Sequence, residues 1–157
     1  MPRKTLIKVF AVLAVLAIAF ASVTLIGGKS SMPVVTGKAG EAPTITPPTG
    51  DAPTTLQSED IITGTGAEVL PTSTLTVHYT LMSWSSGEVL ETSWSSGQPA
   101  TFPLSGVIAG WQEGLPGAKA GGRRLLVIPP SLGYGPSVGH PLEKETLIFV
   151  VDIIAVS

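Results

Sequence analysis

The stretch STLTVHYTL, residues 73–81, decides the fold class of this chain. Apolar and polar residues alternate along it, and a period of two is typical of a β-strand with one buried face. The alternation places Tyr79 on the buried face and His78 on the opposite face. Two later segments, RRLLVIPP at 123–130 and TLIFVVDIIAV at 146–156, are apolar and rich in β-branched residues, so we interpret both as central strands.

Between the strand at 73–81 and the strand at 123–130, the sequence favours one short helix. The best candidate is VIAGWQEGLPG at 107–117. Gly110 and Gly114 limit this helix to about two turns, because glycine is a poor helix former. Together these elements predict an α+β fold that combines an antiparallel sheet with one short helix.

The tetrapeptide WSSG occurs twice, at 84–87 and 94–97. Ser and Gly favour turns, so the first copy is interpreted as a hairpin turn and the second as the turn that closes the next strand. A solenoid needs at least three repeats of roughly twenty residues or more. We therefore expect two similar turns and not a repeat array.

Length and charge limit the possible functions. A chain of 157 residues has room for one domain of ordinary size and an additional segment. Residues 1–54 hold five basic and two acidic side chains, whereas residues 55–157 hold four and nine. An acidic domain without a basic stripe argues against nucleic acid as a partner.

Residues that could carry conventional catalysis are few. The chain has two His and no Cys, so it lacks the ligands of a typical zinc site, and we predict no metal and no organic cofactor. Asp152 lies in an apolar strand, and no motif links it to a Ser and a His, which argues against a hydrolase. Arg123 and Arg124 have no acidic partner that the sequence identifies, so we interpret them as solvated residues of a strand edge.

Residues 1–28 have the features of a signal peptide or a membrane anchor. Basic side chains lie within 1–8, residues 9–21 are apolar, and the tripeptide AFA at 19–21 offers the small residues that a signal peptidase needs. If this segment is not cleaved, residues 6–26 are long enough to span the roughly 30 Å hydrocarbon layer of a membrane. Both alternatives stay open, and both place the rest of the chain outside the cytoplasmic membrane.

Residues 29–54 are expected to form a disordered linker. The segment contains five Pro, several Thr and Gly, and hardly any large apolar side chain. Such a segment buries too little surface to offset the entropy of ordering. The folded domain is therefore expected to span 55–157.

From Val77 onward, a series of blocks resembles the FKBP-type peptidyl-prolyl cis-trans isomerases. The blocks are VHYT, SSGEVLETSW, GQPATFPL, VIAGWQEGL, GGRRLLVIPPSLGYG and TLIF. They occur in order, and with the lead-in GTGAEV at 64–69 the resemblance covers about residues 56–157, which is more specific than one short motif. The resemblance implies a twisted five- to six-stranded antiparallel sheet wrapped around one short helix, with an apolar pocket that accepts a proline ring.

The resemblance also implies a set of site residues. The expected catalytic residues are Tyr79, Trp111, Tyr134 and Phe149. The expected substrate-binding residues are Leu90, Glu91, Phe102, Val107, Ile108, His140 and Leu142. Trp111 would form the floor beneath the prolyl ring. The backbone N–H of Ile108 and the hydroxyl of Tyr134 would donate to peptide carbonyls, and His140 would lie in the loop over the pocket.

The chain departs from the family pattern at Leu90 and Glu91, where Phe-Asp is common. An Arg often present near Ser96 is missing, so Glu91, although it is among the expected substrate-binding residues, lacks the charge partner that would keep it from turning to solvent. In a regular strand, Leu90 and Glu91 would face opposite sides, so both can border the pocket only if a bulge or strand end occurs there. The loop at 136–145 lacks the usual Ile-Pro-Pro run, and Leu142 is expected to replace its apolar contact.

The leading hypothesis is an exported or membrane-tethered isomerase that speeds the folding of other exported proteins. Its partners would be X–Pro bonds in their unfolded or loop segments, with macrolides as further ligands. One alternative is a peptide-binding or chaperone module on the same fold with little or no turnover. Another is a surface adhesion domain in which Trp84 and Trp94 meet a partner.

Overall fold

The computed structural model describes residues 30–157, which form eight strands and one α-helix. The strands are β1 Val34–Thr36, β2 Thr44–Thr46, β3 Gln57–Ile62, β4 Thr74–Ser83, β5 Val89–Thr92, β6 Ala100–Pro103, β7 Arg123–Ile128 and β8 Leu147–Val156. The helix α1 is Ala109–Gly114, and single 3-10 turns occur at Leu104–Gly106 and Pro130–Leu132. All three strands and the short helix expected from the sequence are present.

Six of the strands form one antiparallel sheet in the order β3-β7-β8-β4-β5, with β6 also paired to β4. The long strands β4 and β8 are neighbours and pair from Leu75 to Ser83. Strands β5 and β6 share the remaining edge of β4: Thr80–Met82 pairs with β5, and Thr74–Val77 pairs with β6. The α+β fold class, a six-stranded antiparallel sheet with one short helix, is therefore confirmed.

The two WSSG copies are turns, as expected. Gly87 and Gly97 close them with the same φ of 68°, a left-handed conformation that glycine adopts without strain. Their tryptophans differ in environment. Trp84 is buried, whereas Trp94 is half-buried and stacks on His78 with ring centroids 4.0 Å apart. Both indoles therefore pack within the chain, which removes the observation that favoured an adhesion domain.

Helix α1 packs very closely against the inner face of the sheet. A Cβ atom at Gly110 would collide with Ile128, and one at Gly114 would lie 2.6 Å from a methyl group of Leu126. The two glycines that shorten the helix thus also allow it to approach β7. This packing buries Trp111 in the main apolar core.

The outer face of the sheet is apolar as well. Its buried apolar side chains are Met82, Trp84, Leu125, Val127, Ile148 and Val150. Residues 30–54, here called the strap, pack against this cluster through Val35 and Ile45, which lie on the β1–β2 hairpin. Residues 30–54 therefore differ from the disordered linker that the sequence predicted at 29–54. A few apolar residues suffice to order the strap, because the sheet supplies most of the surface that is buried.

Hydrogen bonds also join the strap to the sheet. The indole Nε1 of Trp84 donates to the carbonyl of Gly50 at 3.0 Å, and Nη2 of Arg123 donates to the carbonyl of Glu41 at 2.5 Å. Arg123 is 1% exposed, and its Nε lies 2.6 Å from Oδ1 of Asp152. The interpretation of Arg123 as a solvated edge residue is wrong, because β7 lies between β3 and β8, the strap covers the Arg123 side chain, and Asp152 neutralises the guanidinium.

The predicted signal peptide or anchor, residues 1–28, lies outside the described residues. Across residues 30–157, no helix combines the length and the apolar character needed to cross a membrane.

Candidate functional site

A cavity of about 390 Å³ opens between α1 and the inner face of the sheet. Its lining residues are Tyr79, Glu91, Phe102, Gly106, Val107, Ile108, Trp111, Tyr134 and Phe149. They come from β4, β5, β6, α1, β8 and the segments beside the two 3-10 turns. Eight of these nine residues were expected from the sequence. Gly106 was missed, although its position directly before Val107 was the available signal.

Trp111 lies where the aromatic side chains meet. It is 4% exposed, and its ring stands edge-to-face with Tyr79, Phe102 and Phe149 at centroid distances of 5.9, 5.9 and 5.3 Å. Edge-to-face geometry is favourable because the positive edge of one ring meets the negative face of another. The cavity wall is therefore a rigid aromatic box with Trp111 on the side formed by α1.

Tyr79 and Glu91 supply the polar contact within this wall. The hydroxyl of Tyr79 donates to Oε1 of Glu91 at 2.6 Å. Burial, followed by this hydrogen bond and by the negative charge of Glu91, raises the pKa of Tyr79 to about 12. Glu91 was expected among the substrate-binding residues, and the structure places it in the cavity lining, with its side chain also exposed to solvent. It forms no ion pair with any of residues 30–157.

The strand that carries Glu91 is interrupted by a bulge. Leu81 is paired with Glu91 and Met82 with Val89, so Leu90 is the unpaired extra residue. The bulge permits Leu90 and Glu91 to leave the strict alternation of a strand. Leu90 nevertheless lies outside the cavity lining and is 42% exposed. The structure thus does not bring Leu90 into the cavity lining, and a role for Leu90 in peptide binding stays a prediction.

His140 and Leu142 stand behind the cavity and do not line it. The ring of His140 stacks on Tyr134 with centroids 4.1 Å apart and an angle of 3° between the planes. The N–H of Leu142 donates to Nδ1 of His140 at 3.0 Å, and the Leu142 side chain packs against the main core. Both residues thus support the position of Tyr134.

Two hydrogen-bond donors at the cavity are free to bind a ligand. The backbone N–H of Ile108 and the hydroxyl of Tyr134 take part in no hydrogen bond with residues 30–157. Both residues line the cavity. An unpaired donor beside an apolar cavity is suited to a carbonyl oxygen of a bound peptide.

A second cavity, of about 440 Å³, lies on the outer face of the sheet beside the strap. It contains His78 and Asp152, and Nδ1 of His78 lies 2.8 Å from Oγ of Ser93. This arrangement is not a hydrolase relay. Ser93 Oγ already accepts the N–H of Tyr79 at 2.8 Å, and Asp152 is paired with Arg123. In the described part of the chain, no three His, Cys, Asp or Glu residues are grouped to hold a metal ion.

Known proteins are similar to this chain in sequence and in fold. The sequence model of the family described as FKBP-type peptidyl-prolyl cis-trans isomerase matches residues 66–154. A protein from Corynebacterium glutamicum named "Probable FK506-binding protein" is 53% identical over 97 residues, which cover 61% of this chain and 82% of that protein. "Outer membrane protein MIP" of Legionella longbeachae is 43% identical over 103 residues, covering 64% of this chain but 44% of that protein.

A solved structure agrees with these sequence matches. The crystal structure of FkpA from Escherichia coli superposes with a TM-score of 0.60 at 36% identity, covering 65% of this chain and 48% of that chain. The matched family region, residues 66–154, contains every residue that lines the aromatic cavity. The chain therefore belongs to the FKBP-type peptidyl-prolyl cis-trans isomerase family.

Proposed function

We propose that this chain, a peptidyl-prolyl cis-trans isomerase by its family, isomerises X–Pro bonds of exported proteins in the aromatic cavity. The observation that carries the proposal is the box of Tyr79, Phe102, Trp111 and Phe149 around a cavity with two free donors. In this proposal the prolyl ring lies against Trp111. The peptide on either side of the proline runs along the rim.

An apolar cavity can accelerate this reaction without a nucleophile. Rotation about an X–Pro bond is slow because it breaks amide resonance, with a barrier of roughly 18–20 kcal/mol. The planar amide is more dipolar than the twisted one, so an aromatic environment destabilises the planar ground state more than the twisted transition state. The aromatic residues are therefore proposed to be the catalytic ones.

The free donors would hold the peptide in the twisted geometry. We assign the N–H of Ile108 and the hydroxyl of Tyr134 to the peptide carbonyls, because both donors lack partners among residues 30–157. A hydrogen bond stronger in the transition state than in the ground state raises the rate. Stacking on His140 would keep the Tyr134 ring in place for this contact.

The location and the further ligands follow from the sequence and from relatives. The basic and apolar pattern of residues 1–28 supports an extracytoplasmic location, either by export or by anchoring through residues 6–26. The name of the Legionella longbeachae relative, "Outer membrane protein MIP", points in the same direction. Clients would then be exported proteins with X–Pro bonds in unfolded or loop segments. The relative named "Probable FK506-binding protein" supports macrolides as further ligands of the same cavity.

The test is the cis-to-trans rate of a short X–Pro peptide with and without the purified full chain. Acceleration is expected, and Tyr134→Phe is expected to reduce it about two- to tenfold, the value of one neutral hydrogen bond. Trp111→Leu is expected to reduce it further. Glu68→Gln, an exposed residue away from the cavity, serves as the control. A folded chain that binds the peptide without accelerating the reaction would instead establish a binding module.

A further inference from the structure

The aromatic cavity carries one charge. Of the nine residues that line it, Glu91 alone has a carboxylate, and none has a basic side chain. The other lining residues are aromatic, aliphatic or glycine. A peptide bound in this cavity therefore meets a single negative group.

The carboxylate of Glu91 is oriented but not neutralised. Its Oε1 accepts the hydroxyl of Tyr79 at 2.6 Å, whereas Oε2 accepts no hydrogen bond from residues 30–157. Two ion pairs occur within the described range, Arg123 with Asp152 and Arg124 with Asp60, and neither includes Glu91. One oxygen thus fixes the side chain, and the other is available to a cation from outside.

We propose that Glu91 selects X–Pro bonds in which a Lys or Arg lies immediately beside the proline. This inference rests on the proposed function, since it requires the prolyl ring to occupy the cavity that Glu91 lines. Consecutive Cα atoms are about 3.8 Å apart, and a Lys or Arg side chain reaches several ångströms further. A basic residue on either side of the proline can therefore extend along the wall to Oε2.

The charge of the whole described unit favours the same substrates. Residues 30–157 contain five basic and eleven acidic side chains, so their net charge is 5 − 11 = −6. Two of the five cations are paired within the chain. A negative surface raises the local concentration of cationic peptides and speeds their encounter, and salt weakens this effect. Glu91 would add a preference for peptides in which the cation lies immediately beside the proline.

The expected preference is modest. Glu91 is exposed, and a solvent-exposed ion pair changes an equilibrium by a factor of about two to five. The salt dependence should be clear, because exposed charges are screened at about 8–10 Å under ordinary ionic strength and at about 3 Å in 1 M salt.

The experiment compares kcat/KM of the full chain for two sets of peptides. In one set the residue before the proline is Lys, Gln or Glu, and in the other set the same residues follow the proline. Gln is the neutral reference for length. The assays use wild type, Glu91→Gln and Glu68→Gln at low and high salt. In Glu91→Gln the amide oxygen of the new side chain can still accept the hydroxyl of Tyr79, so this variant removes the charge and keeps the contact, whereas Glu68→Gln removes one exposed charge away from the cavity.

The inference is supported if kcat/KM of wild type at low salt is at least about twofold higher for the Lys peptide than for the Gln peptide in one of the two sets. The Glu peptide should have the lowest kcat/KM in that set. The preference should fall at high salt, and Glu91→Gln should lower it clearly more than Glu68→Gln does, because both variants remove one negative charge but only Glu91 lines the cavity. Equal rates for Lys and Gln, or a preference that Glu91→Gln lowers no more than Glu68→Gln does, would overturn the inference and leave the isomerase function intact. If no peptide is accelerated, the proposed function and the inference both fail.

Discussion

The side chain of Glu91 is held by a hydrogen bond from Tyr79, a residue on the adjacent strand and twelve positions earlier in the sequence. Because Glu91 is paired with Leu81, it lies diagonally across from Tyr79 on the adjacent strand, where a phenol can reach it. The family resemblance placed Glu91 at the cavity, but the sequence offered no cation to hold it there. A neutral donor, Tyr79, is what holds it in the cavity wall instead.

The acidity of Tyr79 should report this contact. Replacement Glu91→Gln removes the negative charge that disfavours the phenolate, so we expect the pKa of Tyr79 to fall from about 12 but to remain above its ordinary value of 10.0, because burial persists. An alkaline titration followed by ultraviolet absorbance measures it. The variant is best made in a Tyr134→Phe background, since the chain has two tyrosines. An unchanged pKa would show that Glu91 does not contact Tyr79 in solution.

Arg123 and Arg124 are adjacent in sequence and differ in burial. Nε of Arg123 bonds to Asp152 at 2.6 Å, and the Arg123 side chain is 0% exposed. Nε of Arg124 bonds to Asp60 at 2.8 Å, but Asp60 is 37% exposed. Because successive residues of a strand face opposite sides, only Arg123 points under the strap. The sequence around the two arginines does not show which of them is buried.

We expect Arg123→Met to be strongly destabilising. It leaves Asp152 buried without a partner, which costs about 3–5 kcal/mol. The matched control Arg124→Met breaks a partly exposed ion pair and two hydrogen bonds to the carbonyls of Gly114 and Pro116, so it should cost less, about 1–2 kcal/mol. Urea unfolding of the variants measures both values. The double variant Arg123→Met with Asp152→Leu should recover much of the loss, because an apolar pair can replace a buried ion pair. Equal losses for the two single variants would contradict the burial of Arg123.

At the scale of elements, Glu145 fastens the loop after Tyr134 to the first WSSG turn. Its Oε1 accepts the hydroxyl of Ser83 at 2.8 Å and the N–H of Ser85 at 2.9 Å, and its Oε2 accepts the hydroxyl of Ser85 at 2.8 Å. Burial alone would raise the pKa of Glu145, but these hydrogen bonds outweigh burial and lower it. The charged form is thus the one that the folded chain prefers.

Stability should depend on this carboxylate at acidic pH. Because the pKa of Glu145 is lower in the folded chain than in the unfolded chain, its contribution is present above the ordinary carboxyl pKa of 4.5 and is lost as pH falls through the folded value. Urea unfolding at a series of pH values should therefore show a steeper acid loss in wild type than in Glu145→Gln. Glu68→Gln, at an exposed position, should keep the wild-type slope. Parallel acid limbs for wild type and Glu145→Gln would rule out this role.

The apolar residues of the central strands β7 and β8 indicate that both faces of the sheet are covered, the outer face by the strap. In β8, Leu147, Phe149, Val151 and Ile153 belong to the core under α1, whereas Ile148 and Val150 belong to the cluster on the outer face. A strand that is apolar on both sides is covered on both sides. The run at 146–156 was correctly interpreted as central, but it also required a cover for the outer face. The strap itself gave little sign, since Val35 and Ile45 are two of its few large apolar residues.

At the scale of the whole molecule, the sequence was most informative where one local rule decides the structure. The alternation at 73–81 predicted β4, and the glycine-limited segment at 107–117 predicted α1. Eight of the cavity residues followed from matched family blocks. The bulge at Leu90 and the order of the strap depend on long-range packing, which propensity does not contain. The burial of Arg123 against Asp152 has the same origin, because the strap and the neighbouring strands create it.

The folded unit should therefore begin near residue 30 and not at residue 55. Chains that start at residue 30 and at residue 55 differ only in the strap. Without the strap, Trp84, Leu125 and Ile148 would be exposed to water on the outer face. Burial of each large apolar side chain contributes about 1.5–3 kcal/mol, so the shorter chain should be less stable by several kcal/mol and prone to aggregation.

Urea unfolding and light scattering compare the two truncated chains. We expect the chain from residue 30 to unfold cooperatively and to remain in solution, and the chain from residue 55 to unfold at lower urea and to scatter. The cavity lies on the opposite face, so any folded fraction of the shorter chain should retain its isomerisation rate per molecule. Equal stability of the two chains would mean that residues 30–54 do not cover the sheet in solution. A loss of rate in the folded shorter chain would mean instead that the strap also shapes the cavity, through the sheet that separates them.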